Sequence, residues 1–202
     1  MPRIDAPSPP ADFEALPRLE GPRVALRGFH SDDGAGLFAL HSDTRVMRYW
    51  SFPAWTDPTQ GRDYFARALA ARNPDDMLCW VITLPPSDTL VGTATLASID
   101  RAQGRAEIGY ALGSAHWGRG LAREAVALVL DHAFDTLGLR RVEADIDPRN
   151  EGSMRLARSL GFQQEGLLRE RWLVGGEICD SAWHGLLARE WRGRNPGPAA
   201  DL

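Results

Sequence analysis

From Glu107 to Ala127 the chain reads EIGYALGSAHWGRGLAREAVA: a short apolar strand, then Gly118, Gly120 and Ala122, then a helix. A loop this rich in small residues that opens directly onto a helix exposes backbone N–H groups and sets an anion at the helix N-terminus. The segment therefore reads as a diphosphate cradle, and its spacing restricts which diphosphate. A dinucleotide fingerprint needs a third small residue three positions after Gly120, where Arg123 stands instead. A P-loop needs Lys followed by Ser or Thr, and this chain has no lysine, all 23 of its basic residues being arginine. The exclusive use of arginine carries no functional reading by itself.

At 202 residues and 44% hydrophobic content the chain has room for one domain with its own core. A net charge of −4 with scattered arginines leaves no footprint for nucleic acid. Cys79 and Cys179 have neither metal spacing nor a disulfide framework, which fits a reducing cytoplasm. His30, His41, His116, His132 and His184 show no paired spacing, so no metal site is expected. No run approaches the length of a membrane span, and the first residues lack a signal-peptide core. Residues 1–18 read as a proline-rich arm, 19–191 as one domain and 192–202 as a polar tail.

Residues 19–29 read as a first strand, and Ser31, Asp32 and Asp33 offer N-cap chemistry for a helix carrying Leu37, Leu40 and Val46. After the aromatic loop YWSFPAW, a second helix starts near Asp57 and carries Tyr64, Phe65, Ala68 and Leu69. Strand periodicity over 77–84, 90–99 and 106–112 gives an antiparallel meander, and residues 119–137 give a long helix ended by Gly138. A strand over 141–146, a helix over 150–160 and a hairpin around Gly175–Gly176 complete the order.

Gly120, Ala122 and the residues around them resemble the pyrophosphate loop of the GNAT N-acetyltransferase superfamily, with Trp117 where most members have Gln or Arg. Trp117 followed by GRGLA is similar to the RimJ/RimL branch, which acetylates protein N-termini and small amines. The order of elements matches as well. The resemblance implies an α/β (α+β) single-domain GNAT fold. Its mixed, mostly antiparallel sheet has about six or seven strands, splayed between the fourth and fifth, with about four flanking helices. It implies acetyl-CoA as cofactor, direct transfer to a primary amine, and a monomer or homodimer with no metal.

Under that resemblance Tyr110, Ala111 and Leu112 bond the pantetheine arm. Trp117, Gly118, Arg119, Gly120, Leu121, Ala122 and Arg123 hold the pyrophosphate. Asn150 and Ser153 match an Asn-x-x-Ser segment, in which Asn150 bonds the pantetheine and the Ser153 hydroxyl protonates the thiolate. Helix capping accounts for the same pair. No tyrosine follows Tyr110, so the late tyrosine acid of many members is absent. Glu107 becomes the general base through water, against a rival reading as a solvated edge carboxylate. Trp50, Trp55, Glu107 and Asp180 are assigned to the acceptor, though the aromatics also suit a lid over the core. Glu165 reads equally as a pocket carboxylate or a surface charge. Two rivals remain: a nucleotide-binding protein, disfavoured by Arg123 and the missing lysine, and a non-catalytic acyl-CoA sensor. The acceptor stays open between a protein N-terminus, a polyamine and an antibiotic.

Overall fold

The computed structural model describes residues 16–61 and 77–194. Residues 59–61 are helical, and the remainder of the helix expected after Asp57 lies outside the described residues, as do most of the N-terminal arm and residues 195–202. The first expected strand is two: β1 (Leu19–Glu20) and β2 (Ala25–Arg27). The division falls at Gly21–Pro22, where proline offers no N–H to a ladder and the Gly21 N–H instead donates to the Val24 carbonyl at 2.9 Å. After β2 come α1 (Gly34–Ser42) and α2 (Thr44–Met47), separated by Asp43. Asp43 is extended, and its carboxylate accepts from the Arg45 N–H, so it ends one helix and caps the next.

The meander is β3 (Leu78–Thr83), β4 (Leu90–Asp100) and β5 (Arg105–Leu112). The long helix α3 (Leu121–Asp131) continues into one π turn over His132–Thr136. Strand β6 (Arg141–Ile146), α4 (Glu151–Leu160), the hairpin β7 (Gln163–Val174) and β8 (Glu177–Leu187), and α5 (Ala188–Arg194) follow. The last helix thus begins before residue 192 and runs past it. One sheet of eight strands results, in the order β1-β2-β3-β4-β5-β6-β8-β7. Every pair is antiparallel except β5 with β6. No helix among the described residues is long and apolar enough to cross a membrane.

Alternation along the strands gives the sheet two apolar faces. Trp80, Ile82, Ile108, Val142, Ala144 and Ile146 meet α3 and α4 through Leu121, Val126, Val129, Met154 and Leu160. On the opposite face Val81 and Ala111 meet Leu37 and Leu40 of α1, with Phe29 and Trp55. Odd residues of β5 therefore look towards α1 and even ones towards α3 and α4. Phe162 belongs to the core, and Glu165 pairs with both ends of the Arg141 guanidinium, at 2.8 and 2.5 Å.

Arg27 is buried beneath the α1 face. It donates to both oxygens of buried Asp33, at 2.7 and 3.0 Å, to the Asp88 carboxylate at 2.8 Å and to the Gly28 and Asp88 carbonyls. One guanidinium thus ties β2 to the start of α1 and to the turn before β4.

Candidate active site

Strands β5 and β6 stay paired for only three steps, Arg105 with Arg141, Ala106 with Val142 and Glu107 with Glu143. Beyond Glu107 they part, and a cleft of about 1380 Å³ opens in the gap. It is lined by β5 from Glu107 to Leu112, by Ala144–Asp147 of β6 and just beyond, by Asn150 and Ser153, by the glycine loop, and by residues 44–46 and 48–51 after α1. Glu107 sits at the root of the split.

The loop from β5 to α3 owes its path to two glycines in the left-handed region, Gly118 at φ +72° and Gly120 at φ +75°. A Cβ on Gly118 or Gly109 would meet no atom within 4 Å, so open space lies on the cleft side of both. The first-turn N–H groups of α3 have no helical partners of their own. The Trp117 indole N–H donates back to the Leu112 carbonyl at 2.7 Å, closing the loop on the end of β5. Arg23 braces it from outside: it pairs with Glu124 of α3 at 2.7 Å and donates to the Arg119 carbonyl at 2.9 Å. Gly120→Ala forces a side chain into left-handed backbone at about 1–2 kcal/mol, and the Kd for CoA is expected to rise about tenfold by calorimetry.

On the α4 side of the gap, the Asn150 side chain caps the helix by accepting from the Ser153 N–H at 3.1 Å. The Ser153 side chain lies beside Tyr110. The Tyr110 hydroxyl is buried without a hydrogen-bond partner. Burial pushes its pKa up to about 12, and the neighbouring Ser153 pulls the other way without reaching hydrogen-bond geometry. His116, also in the cleft, has a buried Nδ1 with no partner. These orphaned groups, the space beside Gly109 and Gly118, and the loop's backbone donors fit a pantetheine arm and a diphosphate.

On the other face Glu107 is half-buried, and its pKa is raised, first by burial and then by the charges of Asp145 and Glu143, with Arg171 opposing. The rim is ionic. Glu177 holds Arg48 and Arg149 together, Arg149 also donates to Asp147 and to the Cys179 thiol at 3.3 Å, and both guanidinium groups lie over the Tyr49 ring, at 5.2 and 5.9 Å. Below it, Ser114 donates to Asp43 at 2.6 Å, fastening the α1–α2 junction to the β5 loop.

Most of the residues expected from sequence converge here: Trp50, Glu107, Tyr110, Ala111, Leu112, Trp117, Gly118, Gly120, Leu121, Ala122, Arg123, Asn150, Ser153 and Asp180 line the one cleft. Arg119 and Trp55 do not. Arg119 turns its carbonyl towards Arg23, and Trp55 is buried with its ring stacked on His41 at 4.4 Å. The reading from sequence missed Asp145 and Asp147. Their signal was present in VEADID, where alternation lines up Glu143, Asp145 and Asp147 on the face that Glu107 shares. It also missed Trp172 and Arg149, which reach the cleft only through tertiary contacts.

Comparison with known proteins agrees with this geometry. The model of the acetyltransferase (GNAT) domain family matches residues 23–163. The uncharacterized N-acetyltransferase p20 of Bacillus licheniformis is 37% identical over 171 residues, covering 85% of this chain and 96% of the relative. Spermidine N(1)-acetyltransferase of Escherichia coli K12 is 25% identical over 179 residues, covering 89% and 94%. The crystal structure of Mycobacterium smegmatis RimJ in complex with CoA-disulfide superimposes with a TM-score of 0.73 at 28% identity, covering 83% of each chain.

Proposed function

The chain belongs to the GNAT acetyltransferase family, acyltransferases that use acetyl-CoA, and we propose that it transfers the acetyl group directly to a cationic primary amine bound on the Glu107 face of the cleft. The observation that carries this reading is the split after Glu107: it leaves a carboxylate on one face of the gap and the Tyr110 and Ser153 hydroxyls on the other. The RimJ/RimL-like branch is supported by Trp117 before the glycines and by the likeness to RimJ.

Acetyl-CoA supplies the acyl carbon as a thioester. Glu107 takes a proton from the ammonium through one water, which leaves the nitrogen lone pair free. As the C–N bond forms and the C–S bond breaks, backbone N–H groups at the end of β5 would face the developing oxyanion, and Ser153 would give its proton to the sulfur while taking up the second proton that the nitrogen sheds, so that its hydroxyl ends as it began. Glu107, Asp145 and Asp180 give the acceptor end its negative charges, which suits a polyamine or the N-terminus of a basic protein.

A thiol-release screen over N-terminal peptides, polyamines and aminoglycosides tests the proposal. Turnover with at least one cationic amine is expected. Tight CoA binding without turnover on any of them would overturn it in favour of an acyl-CoA sensor. Loss of the proton donor in Ser153→Ala is expected to lower kcat about tenfold with the KM for acetyl-CoA little changed, measured by the same thiol release.

A further inference from the structure

Asp145 stands one alternation beyond the last β5–β6 pair, on the face that carries Glu107. Its neighbour Glu143 is neutralised by Arg141 at 2.7 Å and Arg105 at 3.7 Å. Asp145 is treated differently: its partners among the described residues are both uncharged, the Ser181 hydroxyl at 2.5 Å and the Trp172 indole N–H at 2.9 Å. Two neutral donors fix the carboxylate and leave its charge intact.

The second of those donors is brought from a distance. Trp172 lies on β7, and β8 stands between β7 and β6 in the sheet. The reach depends on a bulge: from Leu168 to Trp172 β7 spends four residues while β8 moves only from Ser181 to Cys179. Within the bulge Glu170 adopts φ +54°, and its N–H is held by the Asp180 carboxylate at 2.8 Å. A non-glycine residue in that region costs energy, and bulges beside active sites re-aim side chains. Here the re-aimed side chain is the indole that grips Asp145.

We propose that Asp145, clamped by Ser181 and Trp172, is a positioning residue for Glu107: it keeps a second, unneutralised carboxylate beside the base and gives the acceptor ammonium its second anionic contact. The inference rests on Glu107 serving as the base. Asp180 then acts through the bulge as well as lining the cleft. The charged groups around Glu107 are Arg105 on its own strand, Glu143 and Asp145 on β6, Arg171 on β7 and Asp180 on β8, with Arg48 of the rim across the cleft; β4 presents uncharged Ala97 opposite it. Among the described residues Asp145 and Asp180 are the negative charges of this set in no ion pair, and of the two Asp145 stands on the strand paired with that of Glu107.

The test is a pH titration of the Glu107 carboxyl by 13C NMR in the full chain, with Glu107→Gln assigning the signal. In Asp145→Asn the midpoint is expected to fall, and in Trp172→Phe and Ser181→Ala to fall by less. Unchanged CoA affinity in these variants reports an intact fold. With spermidine as the acceptor probe, Asp145→Asn is expected to raise its KM about tenfold while that of acetyl-CoA holds, since one of two close opposite charges is lost. An unmoved midpoint in Asp145→Asn overturns the proposal, and an inactive Glu107→Gln would then leave the base standing. A moved midpoint with a fully active Glu107→Gln overturns the base and with it the positioning role.

Discussion

Glu107→Gln should lower kcat/KM by about 10²- to 10³-fold at neutral pH, the usual contribution of a positioned general base, with no change in the Kd for CoA. In the unchanged chain, kcat/KM should fall as pH drops through a midpoint above the ordinary glutamate range, because burial and then Asp145 and Glu143 raise the Glu107 pKa and the base must be ionised. That acidic limb should vanish in the variant. The same raised pKa fixes the sign of the stability effect: an ionised Glu107 works against the folded state at neutral pH, so thermal unfolding of Glu107→Gln should show a midpoint no lower than that of the parent. A loss of activity accompanied by a loss of folding would sink this assignment.

The cofactor end was legible because its information is local. Gly118 and Gly120 show in the sequence as a spacing, and in the structure each holds the positive φ that the spacing implies. The same holds for Asn150, whose capping of Ser153 is a matter of three residues. The meander was legible from period two, and the one miscounted strand came from reading past Gly21–Pro22. What stayed hidden joins distant segments. Trp172 and Asp145 meet across β8, beside a bulge in β7, and Arg48 meets Arg149 around Glu177. Trp55 misled for the opposite reason: an aromatic loop suggests a binding surface, but this ring is spent on stacking with His41.

Arg27→Ala should destabilise the fold by about 3–5 kcal/mol, since it strands the Asp33 carboxylate in a buried site with its cation removed. Chemical denaturation followed by circular dichroism measures this directly. The double variant Arg27→Met with Asp33→Leu should recover most of the loss, because replacing both members of a buried pair removes the stranded charge. A single substitution costing under about 1 kcal/mol would mean that water reaches Asp33.

The rim of the cleft has a chemical consequence beyond its geometry. Arg48 and Arg149, drawn together by Glu177 over Tyr49, stand at the entrance to a compartment whose purpose is to acylate amines. A lysine in either place would carry an amine of the kind the enzyme modifies, and its pKa would drop with any loss of water around it. A guanidinium stays protonated under all working conditions and has no free lone pair to offer the thioester. The cations of the rim are therefore inert to the reaction they surround.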